Sequence, residues 1–115
     1  MRKVLVCGSR NVNINLSDID KVFQENDIHP DLIISGGAKG PDTTAVMWAI
    51  ANDVPYEMDI PNWAGIGKSA GIERNKKMVD KCNTCVAFWD GKSRGTMFTI
   101  EHAREKGKKV VVVER

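Results

Sequence analysis

Five short apolar runs punctuate this chain, at residues 3–7, 32–35, 55–59, 84–89 and 109–113, and helix-like patterns separate them. Most of the runs are continuous rather than alternating, which is the pattern of parallel strands covered on both faces. The first intervening helix is expected to open with Ser17 as N-cap and Asp20 near N3, presenting Leu16, Ile19, Val22 and Phe23 at helical spacing. The second starts with Pro41 in the first helical position and carries Ala45, Trp48, Ala49 and Ile50. A third is predicted over about 69–81 and a fourth over about 96–106, the last capped by Gly107 in a left-handed conformation. Strands alternating with helices in this way predict a three-layer, Rossmann-like α/β fold. It is an open parallel sheet of about five strands in the order 3-2-1-4-5, with helices on both faces and one domain over residues 1–115.

Three glycine loops lie where strands give way to helices: Gly8-Ser9-Arg10, Gly36-Gly37-Ala38-Lys39-Gly40, and Asp90-Gly91-Lys92-Ser93-Arg94-Gly95-Thr96. Each carries a cation, and each precedes a helix whose N-terminal amides attract anions. In the expected strand order they converge at the carboxyl edge of the sheet, where open α/β sheets bind ligands. That combination predicts a phosphate site and a nucleotide ligand. The second loop, with Pro41 and Asp42 behind it, reads as an anion nest flanked by Lys39. Asp42 either complements the helix dipole or holds a ribose hydroxyl. Thr96 is expected to cap the last helix and to meet phosphate, and Arg10 can fork onto one. Arg74 and Asn75 precede Met78 and Val79 by four residues, so they share the buried face of the third helix one turn earlier and should look into the crevice.

Other features exclude alternatives. Net charge is +2, too small for duplex DNA binding on electrostatics alone. Three cysteines make no even disulfide framework and fit a reducing, cytoplasmic setting. Cys82-Asn83-Thr84-Cys85 closes a helix rather than opening one, so Cys85 reads as core and not as a redox or metal residue. Met1-Arg2-Lys3 precedes an apolar run too short for a signal sequence, and no stretch suits a membrane span. Gly67-Lys68-Ser69 imitates the end of a Walker A loop, but Asn62 stands where its first glycine is required. Residues 60–69 read instead as a lid, with Trp63 available to stack on a base. His29 falls in a turn and His102 on an exposed helix face; no metal or cofactor is implied.

Taken together, these segments resemble the SLOG superfamily, the Rossmann-like group that holds the LOG phosphoribohydrolases and the DNA-processing DprA proteins. They resemble most its small YspA/YpsA-related branch. The resemblance spans nearly the whole chain. It rests on the run Val4 to Arg10, on the second glycine loop with Asp42 and Ala45, on Trp63 with Gly71, Arg74-Asn75 and Met78, and on Gly95-Thr96. It implies binding of a nucleoside monophosphate or an ADP-ribose-like molecule for sensing or sequestration, with a homodimer or larger homo-oligomer as the assembly. The phosphoribohydrolases carry a glutamate three residues after the glycine–threonine pair. Here that position is Thr99, and Glu101 lies about 200° further around the helix. Glu73 and Asp42 are the substitute carboxylates for cleaving an N-glycosidic bond. The superfamily also leaves single-stranded DNA as a ligand, although only Trp63 and scattered cations supply the groove this needs.

Overall fold

The computed structural model describes residues 1–59 and 70–115. Along the chain run β1 (Lys3–Gly8), α1 (Leu16–Glu25), β2 (Leu32–Ser35), α2 (Pro41–Ala51), β3 (Tyr56–Met58), α3 (Ala70–Lys81), β4 (Thr84–Trp89), α4 (Arg94–Glu105) and β5 (Lys109–Glu114). The five strands form one parallel sheet in the order β3-β2-β1-β4-β5, as the apolar runs predict. Register is tight around the centre, with Leu5 opposite both Ile34 and Cys85.

Because side chains alternate across a strand, β1 supplies two cores. Val4 and Val6 face α1 and α2, packing with Ile19, Phe23, Ile33, Ala45, Trp48 and Phe88. Leu5 and Cys7 face α3 and α4, with Ile34, Met78, Val79, Cys82, Cys85 and Ile100. The cysteines are free and buried, so Cys85 is a core residue as its position implied. Met78 and Val79 are the buried face of α3, and Cys82, just past its end, is buried with them. Trp48 ties α1 to α2, packing edge-on against Phe23 and donating its indole N–H to Asp20 at 2.6 Å.

The helix starts differ from expectation in an instructive way. Asn15, not Ser17, caps α1, and Asn15 with Asp18 forms a reciprocal capping box. Ser93, not Thr96, caps α4, which therefore begins two residues earlier than predicted. Pro41 does open α2, behind Gly40, and Gly107 turns left-handed at φ +72° after α4. His102 is not on an exposed face: its side chain is 13% exposed and lies 3.4 Å from Asp80, stacked on Phe98. No helix is long and apolar enough to cross a membrane among the described residues.

Candidate functional site

A cavity of about 790 Å³ opens at the carboxyl edge of the sheet, beside the β1–β4 switch point. Its floor is the end of β1 with Cys7 and Gly8, and its two walls are the N-terminal halves of α3 and α4. Ser9, Arg10 and Asn11 border it from the first loop, Ala38 and Asp42 from the second. Arg74 and Asn75 contribute from α3, and Ser93, Arg94, Gly95 and Thr96 from the third loop and the start of α4. Gly36, Gly37, Lys39, Gly40, Asp90 and Gly91 are not part of the lining. Trp63 and the rest of the expected lid fall outside the described residues.

The second loop differs most from its sequence reading. Its anion nest is already occupied, because the carboxylate of Asp42 folds back into it. Asp42 Oδ2 accepts the Ala38 N–H at 3.4 Å, the Gly36 amide also faces this carboxylate, and the Gly37 N–H goes to Ser35 Oγ at 3.1 Å. A phosphate approaching this turn would meet a carboxylate. The loop therefore shapes the cavity rather than offering its own amides to it.

Asp42 is 3% exposed. Burial pushes its carboxyl up to about 6, against the opposing pull of Arg74, the two amides and Arg10. The folded protein thus holds the proton more tightly than the unfolded chain. The group costs nothing below the unfolded value of 3.8, and its ionisation erodes stability as pH rises towards 6 and above. At 1.36 kcal/mol per unit the difference is about 3 kcal/mol. Between pH 4 and pH 7 the native protein is expected to lose about that much stability relative to Asp42→Asn. Urea melts of both chains across this range check it, and parallel pH profiles would contradict it.

Arg74 is the bracket of the site. Its Nη1 donates to Gly36 O at 2.8 Å and to Asp59 O at 3.2 Å, joining the second loop to the end of β3. Its Nε donates to Asn75 Oδ1 at 2.9 Å, which fixes the amide of Asn75. Gly36 is where it is because a Cβ there would collide with this guanidinium and with Asp42. Among the described residues Nη2 has no acceptor and is left to the cavity.

The third loop is organised by Asp90. Its Oδ1 accepts the N–H groups of Lys92 and Ser93, both at 2.8 Å, and the Ser9 hydroxyl at 3.2 Å. These bonds hold its carboxyl below the usual range. Ser93 Oγ then caps Thr96 N at 3.5 Å, while Ser9 and Thr96, both buried, face each other across the two loops. The amides one step further in are spared. Among the described residues, the N–H groups of Arg10, Asn11, Arg94 and Gly95 have no acceptor, and all four residues line the cavity. Two loops thus border one cavity with residues whose amides are unpaired, and Arg10 and Arg94 among them are exposed.

Both positions weighed on α4, Thr99 and Glu101, border the cavity. Thr99 is buried, its hydroxyl donating to Gly95 O at 3.1 Å. Met97 and Phe98, which the sequence reading missed, border the cavity with Glu101. The i,i+4 relation of Met97 to Glu101 was the available signal. Glu73 is exposed and outside the lining.

A parallel sheet in this order, with a cavity at its switch point, defines a Rossmann-like α/β protein. The chain belongs to the family of the gene 61 protein of Mycobacterium phage D29, with which it is 33% identical over 119 residues, covering 96% of this chain and 95% of the phage protein. No family model matches it. Among solved structures it is similar to DNA processing protein A (DprA) from Streptococcus pneumoniae, at a TM-score of 0.77 and 26% identity over 97% of this chain. The chain spans 50% of the length of that protein. This similarity supports the wider superfamily relationship that the glycine loops suggest.

Proposed function

We propose that the cavity binds a nucleotide or nucleotide-derived small molecule, its phosphate held at the corner between the first and third loops. One observation carries this reading: Arg10, Asn11, Arg94 and Gly95, with unpaired amides and two guanidinium groups between them, line one cavity where two loops meet. All four residues are exposed, so these amides are open to a ligand, and an anion at a helix N-terminus is favoured by the free N–H groups together with the dipole. Thr96 and Ser9 add hydroxyls, and Arg74 Nη2 lies on the α3 side. Asp42 closes the second loop and leaves it as a wall, with Asn75 beside it. In this reading Gly8, Gly36, Gly37, Ala38, Lys39, Gly40, Asp90 and Gly91 set the shape of the loops, and the ligand is sensed or sequestered as in the small YspA/YpsA-related branch. Titration calorimetry with nucleoside monophosphates, ADP-ribose and the matching nucleosides tests it; binding that ignores the phosphate would refute it.

Hydrolysis of the N-glycosidic bond does not suit these residues. The hydroxyl of Thr99 is spent on Gly95 O, and Glu73 lies outside the lining. Asp42 is enclosed by its own amides. General acid–base help is worth about 10²–10⁴ in rate, so its absence leaves the bond almost intact. Chromatography after prolonged incubation with nucleoside monophosphates is expected to show no base beyond one equivalent of protein. Multiple-turnover release, lost in Asp42→Asn, would reverse this conclusion.

The similarity to DprA favours a second reading, single-stranded DNA, with Arg10 and Arg94 exposed in the lining and Lys39 and Lys92 exposed on the adjoining loops. Affinity for a deoxythymidine oligomer that falls steeply with salt, and exceeds that for mononucleotides, would select it.

A further inference from the structure

We infer that the open end of the cavity between α3 and α4 takes a guanine base, recognised by Glu101 and Asn75. This rests on the nucleotide reading of the same cavity and specifies its ligand.

Beyond the phosphate corner the cavity becomes a slot between α3 and α4. One wall carries Ile72 and Asn75, the other Met97, Phe98 and Glu101, with Met78 at the floor. Ile72 and Met97 are 46% and 39% exposed, large apolar side chains left facing the slot where a flat ring would cover them. Gly95 adds no bulk at the entrance, since a Cβ there would meet nothing within 4 Å. From Gly95 to Glu101 the helix rises six residues, about 9 Å. The Glu101 side chain leans back towards the N-terminus, so the gap is one that a single ribose spans between its phosphate and the outer edge of its base.

The polar groups in the slot set which base fits. Glu101 has no hydrogen bond or ion pair among the described residues, and its ionised carboxylate offers two acceptor oxygens and no donor. Asn75 is oriented by Arg74, whose Nε occupies Oδ1, so its Nδ2 is the donor left for a ligand. The slot therefore presents two adjacent acceptors and one donor. Guanine carries the complement on one edge: N1–H and the 2-amino group beside the O6 acceptor. Adenine and cytosine each place a ring-nitrogen acceptor next to their amino group, and uracil places a single N–H between two carbonyls. Each of these would set a lone pair against the carboxylate. Glu101 is thus a specificity residue, touching the base and taking no part in bond breaking.

Calorimetry with the intact chain tests this using GMP, IMP, AMP and ribose 5-phosphate. GMP is expected to bind about ten- to a hundredfold more tightly than AMP, the discrimination of one bidentate pair, with IMP between them because it lacks the 2-amino group. Glu101→Gln replaces one acceptor by a donor, so GMP should weaken while AMP strengthens. Equal affinity for GMP and AMP, with ribose 5-phosphate still bound, would overturn the base assignment and leave the nucleotide reading standing. A Glu101→Gln variant that weakens both nucleotides alike would also overturn it. Failure of all four ligands to bind would remove the nucleotide reading and this inference with it.

Discussion

Arg74→Ala is expected to cost about 2–4 kcal/mol of stability and to weaken phosphorylated ligands more than free nucleosides. Both effects have one origin. The guanidinium donates to two backbone carbonyls on separate segments, Gly36 O and Asp59 O, and bonds from a charged donor are each worth about 1.5–3 kcal/mol. Removing it leaves those carbonyls without their donor and takes away the cation that restrains the Asp42 carboxyl. Lysine would not restore the site, because a point charge cannot serve the two carbonyls and Asn75 as the planar fork does. For a chain of this size the loss corresponds to a fall of roughly 10 °C in melting temperature. Calorimetry separates the two roles. Equal weakening of nucleosides and their monophosphates would show that Arg74 only braces the loops.

A second large effect is expected at Gly8. A Cβ on this residue would lie 2.5 Å from Pro41 Cγ and 2.6 Å from the carbonyl oxygen of Phe88. That oxygen accepts the Ser9 N–H at 3.0 Å, and Pro41 opens α2, so neither neighbour can move without disturbing the sheet or a helix start. Gly8→Ala should therefore destabilise the fold by about 3 kcal/mol, the upper range for overpacking. Gly95→Ala is the informative contrast. Its added methyl meets no atom of the protein within 4 Å, and alanine is the better helix former by about 1 kcal/mol. It should melt no lower than the native chain while binding ligand more weakly. Denaturant melts of the two variants decide this, and similar losses of stability would contradict the packing described here.

Much of the architecture was legible because its cause is local. Continuous apolar runs such as Val4–Leu5–Val6 demand cover on both faces, and the helical spacing of Ile19, Val22 and Phe23 demands one. The strand order and the convergence of the three loops follow from these. The inward turn of Arg74 and Asn75 was equally visible, since Met78 and Val79 fix that face of α3. What sequence could not convey was the direction of individual polar groups. Asp42 in the first turn of a helix looks like a partner for the dipole, yet its side chain fills the nest that Gly36 and Ala38 make. Thr96 looks like a cap, but Ser93 precedes it in an extended conformation and takes that part. On α4 both Thr99 and Glu101 reach the cavity, but the Thr99 hydroxyl is spent on Gly95 O, a bond the sequence does not announce.

The most direct test of the account is a two-dimensional amide NMR titration with a nucleoside monophosphate. The N–H signals of Arg10, Asn11, Arg94 and Gly95 should shift most, because their amides are unpaired and open to a ligand, while those of Gly37 and Ala38, already bonded within the second loop, should move less. Dominant shifts at Gly37, Ala38 and Lys39, or no saturable shifts at all, would contradict the placement of the phosphate between the first and third loops.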